Sequence, residues 1–172
     1  GVINKAKENK FNIDLTFYDL KKCFASLSPT FVMNDLATVT ENDDLLALMY
    51  EENLESSVAV KSPSFQTKRF TLNNIEMQGG VHGPIKCSNQ IDTIGKHCKE
   101  NNENMYYYKG TNLPPLSYID DMATMAKCGQ PSLKINTFVN AKIELKKLEF
   151  NQSKCKTIHI GKTNDLCPEL QV

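Results

Sequence analysis

The stretch PLSYIDDMATMA, residues 115–126, is apolar almost throughout but carries two adjacent aspartates, Asp120 and Asp121. Adjacent carboxylates repel each other and resist burial, and on a regular strand they would point to opposite faces. Because aspartate tolerates the backbone dihedrals of tight turns, the stretch predicts a hairpin in which two apolar strands flank a carboxylate tip. Taken alone, such a pair also occurs in ordinary solvated turns.

A third aspartate ends another predicted strand. The apolar residues of that strand alternate with polar ones: Phe11, Ile13, Leu15 and Phe17. Period-two alternation predicts that these four residues share a buried face of a sheet. One further step places Asp19 on the same face, where a carboxylate is unusual and often functional.

Asp19, Asp120 and Asp121 would lie at the ends of two strands, and together they are candidate ligands of a divalent cation. Carboxylate oxygens are hard ligands that suit Mg²⁺. Three carboxylates can hold two ions about 3.5–4 Å apart, an arrangement that promotes in-line phosphoryl transfer. We therefore expect two Mg²⁺ ions as the cofactor, with Mn²⁺ as a substitute.

The rest of the chain mixes short strands and helices without regular βαβ alternation. Helices are predicted from Pro29, over about residues 43–53, from Pro84 and over residues 131–150. In the last helix, Ile135 and Leu145 belong to the predicted apolar stripe. The pattern is typical of an α+β fold, a mostly antiparallel sheet with helices on one side, and we treat residues 1–172 as one unit.

Composition limits the classes of protein that the chain can represent. It has 20 basic and 20 acidic residues, which argues mildly against a dedicated nucleic-acid binder, although lysines cluster between residues 142 and 162. No run of about 18 apolar residues predicts a membrane span. The six cysteines show no CxxC pair, so we expect reduced thiols in an intracellular protein of the cytoplasm and nucleus, not a secreted one.

Four sequence blocks, in this order, resemble the catalytic blocks of reverse transcriptases, particularly those of non-LTR (LINE-type) retrotransposons. They are YDLKKCF at 18–24, MQGGVHGP at 77–84, YIDD at 118–121 and NQSK at 151–154. The resemblance implies the palm region of a polymerase right hand, with the fingers and thumb largely absent from this excerpt of a longer protein. It also implies RNA-directed DNA polymerase activity on an RNA template, a DNA primer and deoxynucleotides.

The resemblance implies a role for each matching residue. Asp19 and Asp120 would bind the two metal ions, with Asp121 supporting them less directly. Lys154 would approach the triphosphate and protonate the leaving pyrophosphate, unless it is an ordinary surface lysine.

The remaining matching residues would contact the nucleotide and the primer. Phe24 would lie under the sugar and exclude a 2′-OH, or would simply pack in the core. Gln78 and Gly79 would sit beside the templating base and the nucleotide, or would form a turn without function. Tyr118 would pack near the primer end.

Some positions depart from the family pattern. Ala25 stands where many of these elements carry aspartate, and His82 and Lys86 occupy positions that are often apolar or small. None of these changes touches the carboxylates. Because fingers and thumb supply much of the basic surface that grips substrates, we expect the excerpt alone not to polymerise.

Two other functions remain open at this point. The chain could be an inactive or domesticated retroelement remnant that acts, if at all, as a binding or structural module. It could also belong to an RNA-templated RNA polymerase, which shares the carboxylate geometry. Phe24 disfavours the RNA polymerase, because such an enzyme needs room for the 2′-OH.

Overall fold

A computed structural model describes residues 3–4, 12–53, 57–71, 82–100 and 102–161. The helices are α1 Cys23–Ser26, α2 Pro29–Leu36, α3 Asp43–Asn53, α4 Gly83–Glu100 and α5 Gln130–Leu145, with a 3₁₀ turn at Asn102–Asn104. The strands are β1 Ile13–Tyr18, β2 Ser57–Val58, β3 Phe70–Thr71, β4 Tyr107–Tyr108, β5 Thr111–Asn112, β6 Leu116–Tyr118, β7 Asp121–Lys127 and β8 Lys156–Ile160.

The main sheet has four strands in the order β6-β7-β1-β8, and every pairing in it is antiparallel. β1 lies between β7 and β8, so Phe17 pairs with Ala123 on one side and with Lys156 on the other. β2 with β3, and β4 with β5, form separate two-stranded hairpins. The predicted α+β class with a mostly antiparallel sheet is confirmed.

One face of this sheet packs against helices, and the other is largely open to solvent. Tyr18, Met122 and Ala126 on one face belong to the main core, together with Val32 of α2, Ile91 and Ile94 of α4 and Val139 of α5. We call this the covered face. The opposite face, which carries Phe17, we call the open face; the β4–β5 hairpin covers only its far end, around Ile13.

The prediction that the apolar residues of β1 form the buried face is correct at Ile13, which is fully buried, but wrong at Phe17, which is exposed. The covered face of β1 instead carries Asp14, Thr16 and Tyr18, all of them buried, whereas Phe17 on the open face is 41% exposed. The polar groups tolerate burial because they are hydrogen-bonded: Thr16 Oγ1 lies 3.0 Å from Thr157 Oγ1, and Tyr18 Oη lies 3.1 Å from Thr124 Oγ1. Tyr18 also donates to Asn136 Oδ1. Phe11 lies outside the described residues.

Helix positions were predicted better than helix faces for α3 and α4, whereas α5 ends at Leu145 and not at the predicted residue 150. α3 spans Asp43–Asn53 and α4 begins at Gly83, close to the predicted starts and ends. On α5 the predicted stripe is correct at Ile135 but wrong at Leu145, which is 63% exposed. The buried stripe includes Ser132 and Asn136 instead, polar residues that a search for apolar periodicity ignores.

The thiols are not all reduced. Cys23 of α1 and Cys87 of α4 form a disulfide with Cα atoms 6.9 Å apart, so the prediction of reduced thiols is wrong for this pair. The two residues are 64 positions apart, a spacing that carries no sequence signal. Among the described residues, Cys98 and Cys155 are free thiols.

Membrane spans were searched for in the described residues. None of the helices there combines the length and the apolar character that crossing a bilayer requires.

Candidate active site

The hairpin predicted around the aspartate pair is confirmed. Tyr118 pairs with Asp121 at the end of the β6–β7 ladder, so Ile119 and Asp120 form a two-residue turn. Ile119 has a φ of 56°, a left-handed conformation that is strained for a β-branched residue. Its side chain packs against the main core, which holds the turn in this conformation.

Asp19 and Asp121 come together at one end of the two central strands, β1 and β7. Asp121 is the first residue of β7, and Asp19 directly follows β1. Tyr18 and Met122 are paired, so the two aspartates flank the same antiparallel pair, in which Cα atoms lie roughly 4.5–5.5 Å apart. Strand ends from two distant parts of the chain therefore present two carboxylates side by side.

A pocket of about 540 Å³ opens at this end of the two strands, on the open face of the sheet. Four of the predicted site residues line it: Asp19, Tyr118, Asp121 and Lys154. Its apolar wall includes Phe17 and Leu116. Sequence reasoning missed this wall, although the alternation that put Asp19 on the face of Phe17 contained the signal.

Lys154 reaches the first aspartate from a turn before β8. Its Nζ lies 3.5 Å from Asp19 Oδ1, and the lysine side chain is 65% exposed while that of Asp19 is 26% exposed. The backbone also joins the two sequence blocks, because Asn151 N donates to Asp19 O at 2.8 Å. A cation and a carboxylate from blocks 135 residues apart thus meet in one pocket.

The other predicted residues lie apart from the pocket lining or beyond the described chain. Asp120 is half-buried in the turn and is not among the lining residues. Phe24, on α1, is half-buried and packs against the main core. Gln78 and Gly79 lie outside the described residues.

The donor set of the pocket fits a hard divalent cation. Asp19 and Asp121 supply carboxylate oxygens at a solvent-accessible wall, the ligands that Mg²⁺ prefers. A second group, Asp14, Cys128 and His159, has ligand-type atoms within 4.8 Å of one another at the other end of β1. Cys128 is disulfide-bonded, and a disulfide sulfur is not the thiolate that binds a metal.

Two side chains next to Asp19, one in the sequence and one across the sheet, hold their protons strongly: the buried Tyr18 hydroxyl and the half-buried Cys155 thiol. Burial, above all, raises the pKa of the Tyr18 hydroxyl above its usual range. Burial also raises the pKa of the Cys155 thiol; the charge of Asp19 acts in the same direction, and a backbone hydrogen bond to Asp19 acts against it. Both groups are therefore neutral at physiological pH.

The chain matches a known protein family over nearly all of its length. The family model described as reverse transcriptase (RNA-dependent DNA polymerase) matches residues 3–167. None of the curated proteins compared with the chain matches it.

Solved structures of similar fold include telomerases of two yeasts. The telomerase from Candida tropicalis, solved in complex with a fragment of telomeric RNA, aligns with a TM-score of 0.66 at 18% identity, over 92% of this chain and 28% of that one. The telomerase from Candida albicans, with the same kind of RNA fragment, gives a TM-score of 0.69 at 13% identity, over 94% and 30%. The chain thus spans about a third or less of these structures, and at such identities the likeness concerns the fold alone.

Proposed function

Because the chain belongs to the reverse transcriptase family, we propose that it is the catalytic palm region of an RNA-directed DNA polymerase. The reaction is the template-directed transfer of a deoxynucleotide to a primer 3′-OH, with RNA as the template. The observation that carries this proposal is the convergence of Asp19, Asp121 and Lys154 on one pocket. The order of the four sequence blocks supports an origin in a non-LTR retrotransposon.

Asp19 and the Asp120–Asp121 pair are the proposed ligands of two Mg²⁺ ions, with Mn²⁺ as a substitute. Bound there, the ions supply activation of the primer hydroxyl and stabilisation of the leaving pyrophosphate. Asp19 and Asp121 line the pocket, whereas Asp120 lies in the adjoining turn. Because Asp121 lines the pocket, the proposal assigns it a larger share of the ligation than the sequence alone suggested.

Lys154 is the proposed general acid. Its ammonium group lies 3.5 Å from Asp19 Oδ1, so it can exchange this partner for a triphosphate that enters the pocket. From that position it can give its proton to the pyrophosphate oxygen as the bond to the α-phosphorus breaks. An exposed lysine on a turn has the freedom to make this exchange.

The apolar wall of the pocket suits the remainder of the substrate. Tyr118 is 76% exposed and stands on the same face as Phe17, beside the carboxylates. Exposed aromatic rings stack on sugars and bases, so Tyr118 is the proposed contact of the primer end. Phe24 as the discriminator against a 2′-OH, and Gln78 with Gly79 as contacts of the template and nucleotide, complete the proposed substrate site.

The activity belongs to a longer protein. The chain spans 28% and 30% of the two telomerase structures, and fingers and thumb from the same polypeptide would grip the RNA template, the DNA primer and the deoxynucleotide. These substrates put the reaction in the cytoplasm and nucleus. The Cys23–Cys87 disulfide is the observation that weighs against a reducing compartment.

Primer extension by the full-length protein tests the proposal. Asp19→Asn and Asp120→Asn are each expected to lower extension by several orders of magnitude with little loss of fold, because an amide cannot replace a charged ligand. The loss of primer extension in Asp121→Asn measures how much the third carboxylate contributes to catalysis. Asp44→Asn, at an exposed carboxylate in the first turn of α3, is the matched control.

The outcomes separate the competing functions. Activity retained in Asp19→Asn and Asp120→Asn would contradict the metal assignment. An inactive wild-type protein with an intact reading frame would favour a remnant without catalysis. Extension with ribonucleotides in preference to deoxynucleotides would favour an RNA polymerase. Extension by the 172-residue chain alone would contradict the expectation that the palm region requires its neighbours.

A further inference from the structure

The pairing between β1 and the chain around β8 contains a bulge opposite Asp19. Phe17 pairs with Lys156, and the next pairing along the sheet joins Leu20 to Phe150. Between these two pairings one strand advances from 17 to 20, while the other runs back from 156 to 150. The second strand therefore carries three extra residues at the position of Asp19. Bulges beside functional sites commonly re-aim one side chain.

The bulge supplies both backbone partners of Asp19. Asp19 N donates to Cys155 Sγ at 3.3 Å, and Asp19 O accepts from Asn151 N at 2.8 Å. Cys155 Sγ also lies 3.7 Å from Asp19 O. In a regular antiparallel ladder a carbonyl oxygen would accept the Asp19 N–H; here a thiol sulfur takes that place.

Both the backbone and the side chain of Cys155 are held in place. Within the bulge, Cys155 N and Lys154 N both donate to Asn151 O, at 3.1 and 2.9 Å. The Cys155 side chain is half-buried and packs against the main core. A group that is anchored in this way can hold the backbone of Asp19 while the carboxylate projects into the pocket.

We propose that Cys155 is a positioning residue for Asp19: its sulfur, presented by the three-residue bulge, fixes the backbone from which the Asp19 carboxylate reaches a divalent cation. This inference rests on the proposed function, in which Asp19 is a metal ligand. Residues that orient metal ligands commonly change metal affinity or activity by about 10–100-fold when they are replaced. The same bulge presents the neighbouring Lys154. Asn151 O accepts backbone hydrogen bonds from both Lys154 N and Cys155 N, so one turn positions both side chains.

The competing explanation is that Cys155 only fills space beside the core. Cys155→Val preserves an apolar side chain of similar size but removes the acceptor of the Asp19 N–H. Cys155→Ser keeps an acceptor and loses little volume. Positioning therefore predicts damage from valine and tolerance of serine, whereas space filling predicts the reverse order.

The experiment uses the full-length protein and two readouts. Mn²⁺ binding is titrated by electron paramagnetic resonance, and primer extension is measured as a function of Mg²⁺ concentration. For Cys155→Val we expect the Mn²⁺ dissociation constant and the half-saturating Mg²⁺ concentration to rise about tenfold, with Cys155→Ser within about threefold of wild type. Cys98→Val, at the other free thiol among the described residues, is the control and should leave both values unchanged.

Each result decides the question. Wild-type metal binding in a folded Cys155→Val protein would overturn the proposal, as would equal damage from serine and valine. If valine prevents folding, Cys155→Ala, which removes the acceptor without adding bulk, replaces it, and unchanged Mn²⁺ binding would again overturn the proposal. Failure of the proposed function has a different signature, namely full activity in Asp19→Asn.

Discussion

One face of the four-stranded sheet is covered by helices, and the other is open beside Asp19 and Asp121. The covered face of β1 carries Asp14, Thr16 and Tyr18, all of them buried. The open face carries large apolar side chains that stay exposed: Phe17, Leu116, which is 69% exposed, and Ile158, which is 50% exposed. At these positions of the sheet polar side chains are buried and large apolar side chains are exposed, the reverse of the usual distribution.

The difference follows from what each face must contact. On the covered face, side-chain hydrogen bonds such as that between Tyr18 and Thr124 offset the cost of burial. On the open face, apolar surface lies next to carboxylates and a lysine in one pocket. Such a surface suits a ligand that is partly charged and partly aromatic, a description that the nucleotide of the proposed reaction meets.

The neighbouring aromatic residues Tyr18 and Phe17 give the strongest test of this contrast. Tyr18→Ala leaves a cavity in the core and should lower the free energy of unfolding by about 3–5 kcal/mol. Phe17→Ala, one residue away on the open face, should lower it by about 1 kcal/mol or less. Urea unfolding of the chain measures both changes. Equal losses would mean that the open face is part of the stabilising core.

The ion pairs show the same division between inside and outside. Lys146 bonds Asp35 in a largely buried site, where Gln90 Oε1 also accepts from its Nζ at 3.3 Å. Lys146→Ala leaves the Asp35 charge without this partner and should cost about 3 kcal/mol. Lys21, exposed and 3.0 Å from Glu149, is the control, and Lys21→Ala should cost about 0–1 kcal/mol.

Urea unfolding at low and high ionic strength separates the two pairs further. Salt screens the exposed pair but reaches the buried one poorly, so only the small effect of Lys21→Ala should shrink. A loss below about 1 kcal/mol for Lys146→Ala would show that water replaces the ammonium beside Asp35.

Leu116 tests whether the open face serves binding instead of folding. Leu116→Ser should change the free energy of unfolding by about 0.5 kcal/mol or less, because the side chain is already in water. In the full-length protein it should weaken primer–template binding about fivefold, equivalent to about 1 kcal/mol of lost apolar contact. Leu145→Ser, at similar exposure on α5, is the control and should leave binding unchanged. Equal primer–template binding by the two variants would contradict a binding role for the open face.

Local signals in the sequence predicted the elements but not their orientation. The hairpin at residues 116–127 was predictable because two carboxylates interrupt an apolar run, and the start of α4 was predictable because proline favours the first turn of a helix, here at Pro84. Alternation in β1 defines two faces without saying which one the helices cover. Which face the helices cover depends on hydrogen-bond partners of Tyr18, such as Thr124 and Asn136, which lie more than 100 residues away from it in the sequence.

A carboxylate pair at the tip of the β6–β7 hairpin was predictable, but not which of its two residues lines the pocket. The family resemblance ranks Asp120 above Asp121, whereas in the structure Asp121 lines the pocket and Asp120 lies in the adjoining turn. A shift of one residue exchanges the faces of a strand. The bulge opposite Asp19 was not predictable, since it depends on where β8 pairs with β1.

The smallest expected effect concerns the labelling of Cys98, a residue on the covered side of the sheet. Burial raises the pKa of its thiol from an ordinary value of 9.0 to about 11, with the charge of Lys142 acting in the opposite direction. Iodoacetamide labelling followed by mass spectrometry should therefore show the Cys98 rate rising with a midpoint near pH 11. Half-buried Cys155 should be labelled before it at neutral pH.

The same pKa shift has a consequence for stability. The folded state holds the Cys98 proton more tightly than the unfolded state, so this contribution is complete below about pH 9 and is lost as the pH rises toward about 11. Cys98→Ala should flatten the fall of unfolding free energy over that window, while the slope due to Tyr18, whose pKa is also raised by burial, persists. A labelling midpoint near pH 9 would show that water reaches Cys98 and that the covered face is less closed than its contacts imply.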